Sequence, residues 1–252
     1  MPAENEKIVS TKFIRNRTIG SFAVFFLLIA LAVFGWKWLN RQPDDNGVPK
    51  PLRAVLNTNE KIVSNYIFSE RNLAKSFPRS YVAPKTRVNG DAGMGADFDA
   101  ASWKLRVVQK NSDTLFLTLD DIKKLPKTEI IFDFKCIEGW SQVTHWGGAK
   151  FSDFVKRYNL TDEMAMQYVG LNTPDKEYYV GIDRKSILHP QTILCYEMNG
   201  KPLPMNQGYP LRLIIPVKYG IKHLKRIGTI FFSDQRPPDY WYERGYDYYS
   251  GL

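Results

Sequence analysis

Cys136 closes a run in which Ile130, Phe132 and Phe134 alternate with Ile131, Asp133 and Lys135. That period of two is the pattern of a half-buried strand. One further step puts the Cys136 thiol on the apolar face, where the strand passes into a turn carrying Gly139. Two readings of such a thiol stand side by side. It is a small core side chain, as free cysteines commonly are, or a soft ligand or nucleophile presented beside turn amides. A second group with chemical potential lies far along the chain. Arg212, Lys218, Lys222, His223, Lys225 and Arg226 surround Tyr219-Gly220. Such a group is either a solvated basic face or an anion site of charge-assisted donors suited to a phosphate. No Gly-rich nucleotide fingerprint accompanies it. His145, His189 and His223 are scattered, with no zinc spacing to the cysteines.

Next come the elements that must position these groups. Many short strands with few short helices, and no regular strand–helix alternation, predict an α+β fold with antiparallel or mixed sheets. Strands are expected over 103–108, 115–117, 130–135, 168–171, 178–182, 192–198, 211–217 and 229–233. Helices are expected over 58–68, after Thr118, and from Phe151 to Tyr158. Asn199-Gly200 is a two-residue hairpin signal. The segments 76–95 and 140–148 read as irregular, and the aromatic tail from Arg236 to Tyr242 reads as packed on the domain or a partner.

Thr18 to Trp36 carries no charge and is dominated by Phe, Leu, Ile, Val and Ala. At 1.5 Å per residue it spans roughly the 30 Å of a bilayer core. Trp36 and Trp38 follow as an aromatic belt, and no small-residue cleavage site precedes Gln42-Pro43. The expected organisation is a cytoplasmic segment 1–17, a membrane span 18–39, a linker 40–55 and one domain 56–252 outside the cytoplasm. Lys7, Lys12, Arg15 and Arg17 before the span set that orientation. The net charge of +9 suits anionic headgroups, and an exported domain makes nucleic acid an improbable partner. Cys136 and Cys195 are the only cysteines, and a disulfide between them is open in an oxidising compartment.

Three segments in order then carry a resemblance: Lys135-Cys136-Ile137-Glu138-Gly139-Trp140-Ser141, Tyr196-Glu197-Met198-Asn199-Gly200-Lys201-Pro202-Leu203-Pro204, and Gly208-Tyr209-Pro210-Leu211-Arg212-Leu213-Ile214-Ile215-Pro216 with Lys218-Tyr219-Gly220. Together they resemble the molybdopterin-binding domain of the sulfite oxidase family, which includes periplasmic methionine sulfoxide reductases. The resemblance implies molybdenum-molybdopterin as cofactor and two-electron oxygen-atom transfer, as sulfite-type oxidation or sulfoxide-type reduction. It implies Cys136 as the metal's thiolate ligand. Asn89, Thr173, Gln207, Arg212, His223, Leu224 and Lys225 are implied to hold the pterin and its phosphate, and Arg87 to face the substrate. Gln207 stands where relatives carry His or Asn. A single redox centre implies an electron partner, either a membrane haem-b subunit or a cytochrome. The rival reading is a binding module that keeps the fold without active metal.

Overall fold

The computed structural model describes residues 9–88 and 90–251. In chain order the elements are α1 (Thr11–Asn40), β1 (Asp44–Asp45), β2 (Val48–Pro49), α2 (Lys50–Ile62), β3 (Leu105–Val108), β4 (Thr114–Leu117), α3 (Leu119–Lys123), β5 (Lys127–Lys135), β6 (Ser141–Lys150), α4 (Phe151–Arg157), β7 (Tyr168–Asn172), β8 (Tyr179–Asp183), α5 (Arg184–Ile187), β9 (Ile193–Met198), β10 (Lys201–Pro202), β11 (Arg212–Ile214) and β12 (Thr229–Ser233). The fold is α+β, with two five-stranded sheets and the small β1–β2 ribbon.

One sheet runs β4-β3-β12-β7-β8, and in it only β3 and β12 are parallel. The other runs β10-β9-β6-β5, with β11 also paired to β9. The larger core, around Leu105, Phe151, Phe154, Leu171 and Leu213, lies between the layers. A smaller core, with Phe132, Phe134, Trp146, Ile193 and Ile214, covers the far side of the second sheet.

β5 follows its sequence pattern: Phe132 and Phe134 are buried and Lys135 is exposed. Its partner β6 replaces the irregular segment expected over 140–148. In β6 the Gly147-Gly148 pair lets strands approach. A Cβ on Gly148 would overlap the Leu194 carbonyl of β9, and the β6–β9 register shifts between the two glycines, as at a bulge. The expected strand 211–217 shortens to Arg212–Ile214. Pro216 cannot donate to a ladder, and the Lys218 amide turns back onto the Ile215 carbonyl at 3.0 Å. Asn199 and Gly200 have φ of 55° and 74°, the left-handed pair a tight hairpin turn requires.

The segment 40–55 is ordered as an elbow. After β1 and β2 the Lys50 amide donates to the Pro43 carbonyl at 2.9 Å, and α2 begins at Lys50, not Thr58. Pro51 lies in its first turn, where the missing N–H costs nothing. α2 then widens into a π-helical turn over Val63–Ile67.

Candidate active site

The β5–β6 hairpin presents Cys136. Its amide donates to the Trp140 carbonyl at 2.9 Å, and its carbonyl accepts from Gly139 at 3.1 Å. Gly139 has a φ of +87°, which this tight turn requires. The Cys136 side chain is 4% exposed and lines a cavity of about 120 Å³ with Tyr178, Gly220, His223, Lys225, Trp241 and Tyr246. Cys136 and Cys195 are not joined by a disulfide, so the open pairing is not made. Burial pushes the Cys195 thiol up to about 12, whereas Cys136 faces the cavity.

Lys225 extends its ammonium along this cavity and donates to the Gly90 carbonyl at 2.9 Å. Burial, followed by the nearby Arg212 guanidinium, brings it down to about 8. His223 forms the wall between. Its ring meets Phe134 edge-on at 4.7 Å and stacks on Phe132. The Ile215 amide points at Nδ1 and the Lys218 carbonyl at Nε2, a partner set satisfied by the neutral Nε2–H tautomer. Burial, then Arg212, lowers the imidazole to about 3, so it is uncharged at neutral pH.

Behind that wall lies Arg212, 2% exposed. Its Nη1 donates to the Gln207 side-chain and main-chain oxygens at 2.9 and 3.0 Å, and its guanidinium lies 4.6 Å over Trp146. Among the described residues no carboxylate pairs with it, and its Nε has no hydrogen-bond partner. Burial holds it down to about 10. Gln207 in turn donates to the Arg87 carbonyl at 3.2 Å, and Arg87 lies 4.8 Å over the Trp140 ring. Arg87, Gln207, Arg212, Trp140 and Trp146 thus line one recess, with Phe134 as its floor. A Cβ on Gly220, in the Cys136 cavity, would stand 2.9 Å from the same Phe134 ring.

The six basic residues therefore do not form one site. Lys218 pairs with Asp183 at 2.9 Å, and Lys222 with Asp239 and the Gly181 carbonyl. Both lysine side chains are 1% exposed and are taken up by the core. Arg226 donates to the Gly95 carbonyl at 3.0 Å and borders a separate cleft of about 680 Å³. Thr173 sits against Gly93, and its hydroxyl donates to Asp175 at 2.5 Å. The turn that carries Gly93 also supplies Gly90 and Ala92 to the Cys136 cavity. Leu224 is fully buried in the larger core. Its amide and carbonyl are engaged by Lys222 and Leu213. Asn89 lies outside the described residues.

A soft thiol, an ammonium on the same cavity and an unpaired guanidinium one layer behind match an anionic, metal-bearing ligand. A model of the oxidoreductase molybdopterin-binding domain matches residues 92–241. The chain belongs to that family. It is 33% identical over 211 residues to a putative protein-methionine-sulfoxide reductase subunit YedZ1 of Azospira oryzae, covering 82% of this chain and 79% of the relative. It is 29% identical over 204 residues to the protein-methionine-sulfoxide reductase catalytic subunit MsrP of Campylobacter jejuni, covering 75% of this chain and 68% of that protein. Among solved structures, sulfane dehydrogenase SoxCD from Paracoccus pantotrophus aligns with a TM-score of 0.49 at 15% identity, over 56% of this chain and 40% of that one. The chain is a molybdopterin-dependent oxidoreductase of the sulfite oxidase family, which answers the reading as an inactive module.

Sequence reasoning missed three cavity walls. Tyr178 precedes β8, and its hydroxyl donates to the Ile221 carbonyl at 2.5 Å. Trp241 and Tyr246 come from the aromatic tail, which packs on the domain with Trp241 and Tyr246 rings 4.9 Å apart. Aromatic density was the available signal, but Tyr178 lies about 40 positions from Cys136, and Trp241 and Tyr246 about a hundred.

Proposed function

We propose that this enzyme reduces sulfoxides of small or peptide-borne thioethers, with Cys136 as the molybdenum ligand. The observation that carries the assignment is a buried thiol at a strand end, opening on a cavity shared with Lys225 and backed by Arg212. Both relatives described above are named for methionine sulfoxide reduction, which favours reduction over sulfite-type oxidation. The net reaction takes a sulfoxide, two electrons and two protons to a thioether and water. Bound molybdenum-molybdopterin supplies the two-electron oxygen-atom chemistry.

The protein residues supply binding and electrostatics. Cys136 is held by its two turn hydrogen bonds, so its sulfur is aimed by the backbone rather than by a flexible stem. Lys225 and Arg212 provide positive charge for the pterin phosphate, while neutral His223 and Phe134 keep the space between them dry. Gln207 orients Arg212 and, through the Arg87 carbonyl, ties down the middle of the irregular segment 76–95. Arg87, exposed and flat against Trp140, is the substrate-facing group, and Thr173 supports the Gly93 turn. Asn89 joins this set by resemblance.

α1 is the one helix among the described residues long and apolar enough to cross a membrane. As an inner-membrane anchor it holds the domain on the extracytoplasmic side beside its electron donor, a membrane haem-b subunit or a cytochrome. The test is a substrate panel on the full chain from a cofactor-competent host. Turnover of methionine sulfoxide with an artificial reductant supports the proposal; turnover confined to sulfite with an artificial acceptor overturns it.

A further inference from the structure

α2 has its polarity inside out. The face turned to the domain carries Arg53, 1% exposed, and Glu60, 8% exposed. The outer face of α2 and of the π-helical turn that continues it carries Leu52, Val55, Ile62 and Tyr66, exposed by 41, 55, 47 and 84%. With Asn59 these residues recur in steps of three and four, which places them on one narrow stripe. A second outer strip, with Ala54, Thr58, Lys61 and Asn65, is exposed and largely polar. A soluble surface helix puts such a stripe inward. Here the domain-facing side is already satisfied by ions. Arg53 donates to the carbonyls of Asp45, Asn46, Tyr242 and Tyr246 at 2.7–3.2 Å, and Glu60 pairs with Arg236 at 2.6 Å. An exposed, ordered apolar stripe opposite buried charges marks an interaction surface.

Its position indicates what covers it. The Arg41 and Gln42 amides cap the end of α1 on the Trp38 and Leu39 carbonyls, and the Lys50 amide is bonded to Pro43. The first residue of α2 is therefore tied to Pro43, which lies three residues beyond the end of α1 at Asn40. Arg41 and Lys50, both exposed, lie in sequence between the span and the stripe, charges that suit anionic headgroups.

We propose that α2 lies in the plane of the membrane surface, with Leu52, Val55, Ile62 and Tyr66 in the boundary between headgroups and acyl chains. This rests on α1 being a membrane anchor. Arg53 then links the membrane-seated helix to the Tyr242–Tyr246 segment, whose Trp241 and Tyr246 neighbours wall the Cys136 cavity. The bilayer thereby sets the height and tilt of the redox site.

The test uses the full-length holoenzyme in nanodiscs of phosphatidylcholine and phosphatidylglycerol. Tyr66→Cys and, on the polar strip, Lys61→Cys are each labelled with an environment-sensitive fluorophore; buried Cys136 and Cys195 give the unlabelled background. Iodide quenching at position 66 is expected to fall severalfold below that at position 61, and nitroxide-bearing lipid to quench 66 selectively. Equal iodide access at both positions, in protein that floats with the nanodiscs, overturns the proposal. So does shielding of position 66 that arises only when a membrane partner protein is added. Failure to float would instead overturn the anchor itself, and with it the basis for the docked helix.

Discussion

Arg212 is predicted to contribute no net stability to the cofactor-free protein and to stabilise the loaded one. In the chain alone its guanidinium is buried without a carboxylate. Its fall from 12.5 to about 10 corresponds to roughly 3 kcal/mol of desolvation, at 1.36 kcal/mol per tenfold. Arg212→Met removes that cost and keeps an apolar stem against Trp146. The change also strands the Gln207 side-chain and main-chain oxygens and the His223 carbonyl, a loss of about 2–3 kcal/mol. The difference leaves the apo variant about 0–1 kcal/mol more stable than wild type, or up to about 4 °C higher in Tm for a domain of this size. The assay is thermal and urea unfolding of both proteins from a host unable to make the pterin, alongside molybdenum and pterin content from a competent host. The variant should be no less stable than wild type when empty and should retain little cofactor when supplied with it. An apo variant weaker by about 2 kcal/mol or more, with normal cofactor content, would refute the reasoning and make Arg212 a structural residue.

Lys222→Met should behave in the opposite way, costing about 3–5 kcal/mol in apo and loaded protein alike, because it leaves buried Asp239 unpaired; urea unfolding reads this. Lys225 titrates near 8 when folded against an ordinary 10.5, so the unfolded chain holds the proton more tightly between those values. Apo stability should therefore rise with pH from about 8 to 10.5 while cofactor retention falls. Lys218 also comes down to about 8 through burial, so the comparison is with Lys225→Met, which should flatten part of the stability slope and the retention curve. Gly148→Ala, whose new methyl meets the Leu194 carbonyl, should cost about 1–3 kcal/mol or more by urea unfolding, without altering the thiol's own surroundings.

Much of the site was legible where local pattern and chemistry agreed. The alternation from Ile130 to Phe134 placed Cys136 on a buried face at a strand end, and the structure keeps it there. β6 was not legible, because its glycines serve a close approach to β9 that only the folded sheet makes visible. Charge counting also overreached at Lys218 and Lys222. Their partners, Asp183 and Asp239, are 35 and 17 residues away, and nothing local separates a lysine bound for a buried pair from one bound for a cavity. The segment 40–55 read as a linker because Pro43, Gly47, Pro49 and Pro51 break most elements. Gly47 instead packs its backbone on Arg244 and Gly245, where a Cβ would come within 2.8 Å, and Pro51 opens a helix. Trp241 and Tyr246 reach the cavity only through that long-range packing.

The most direct test of the proposed centre is the sulfur coordination of molybdenum in the full-length holoenzyme and in Cys136→Ser, read by X-ray absorption at the molybdenum edge together with metal and pterin analysis. The prediction is stoichiometric molybdenum in the wild type, and in the variant either loss of one sulfur ligand or loss of the metal, with sulfoxide turnover abolished. Unchanged sulfur coordination and retained turnover in Cys136→Ser would contradict it and return Cys136 to the core.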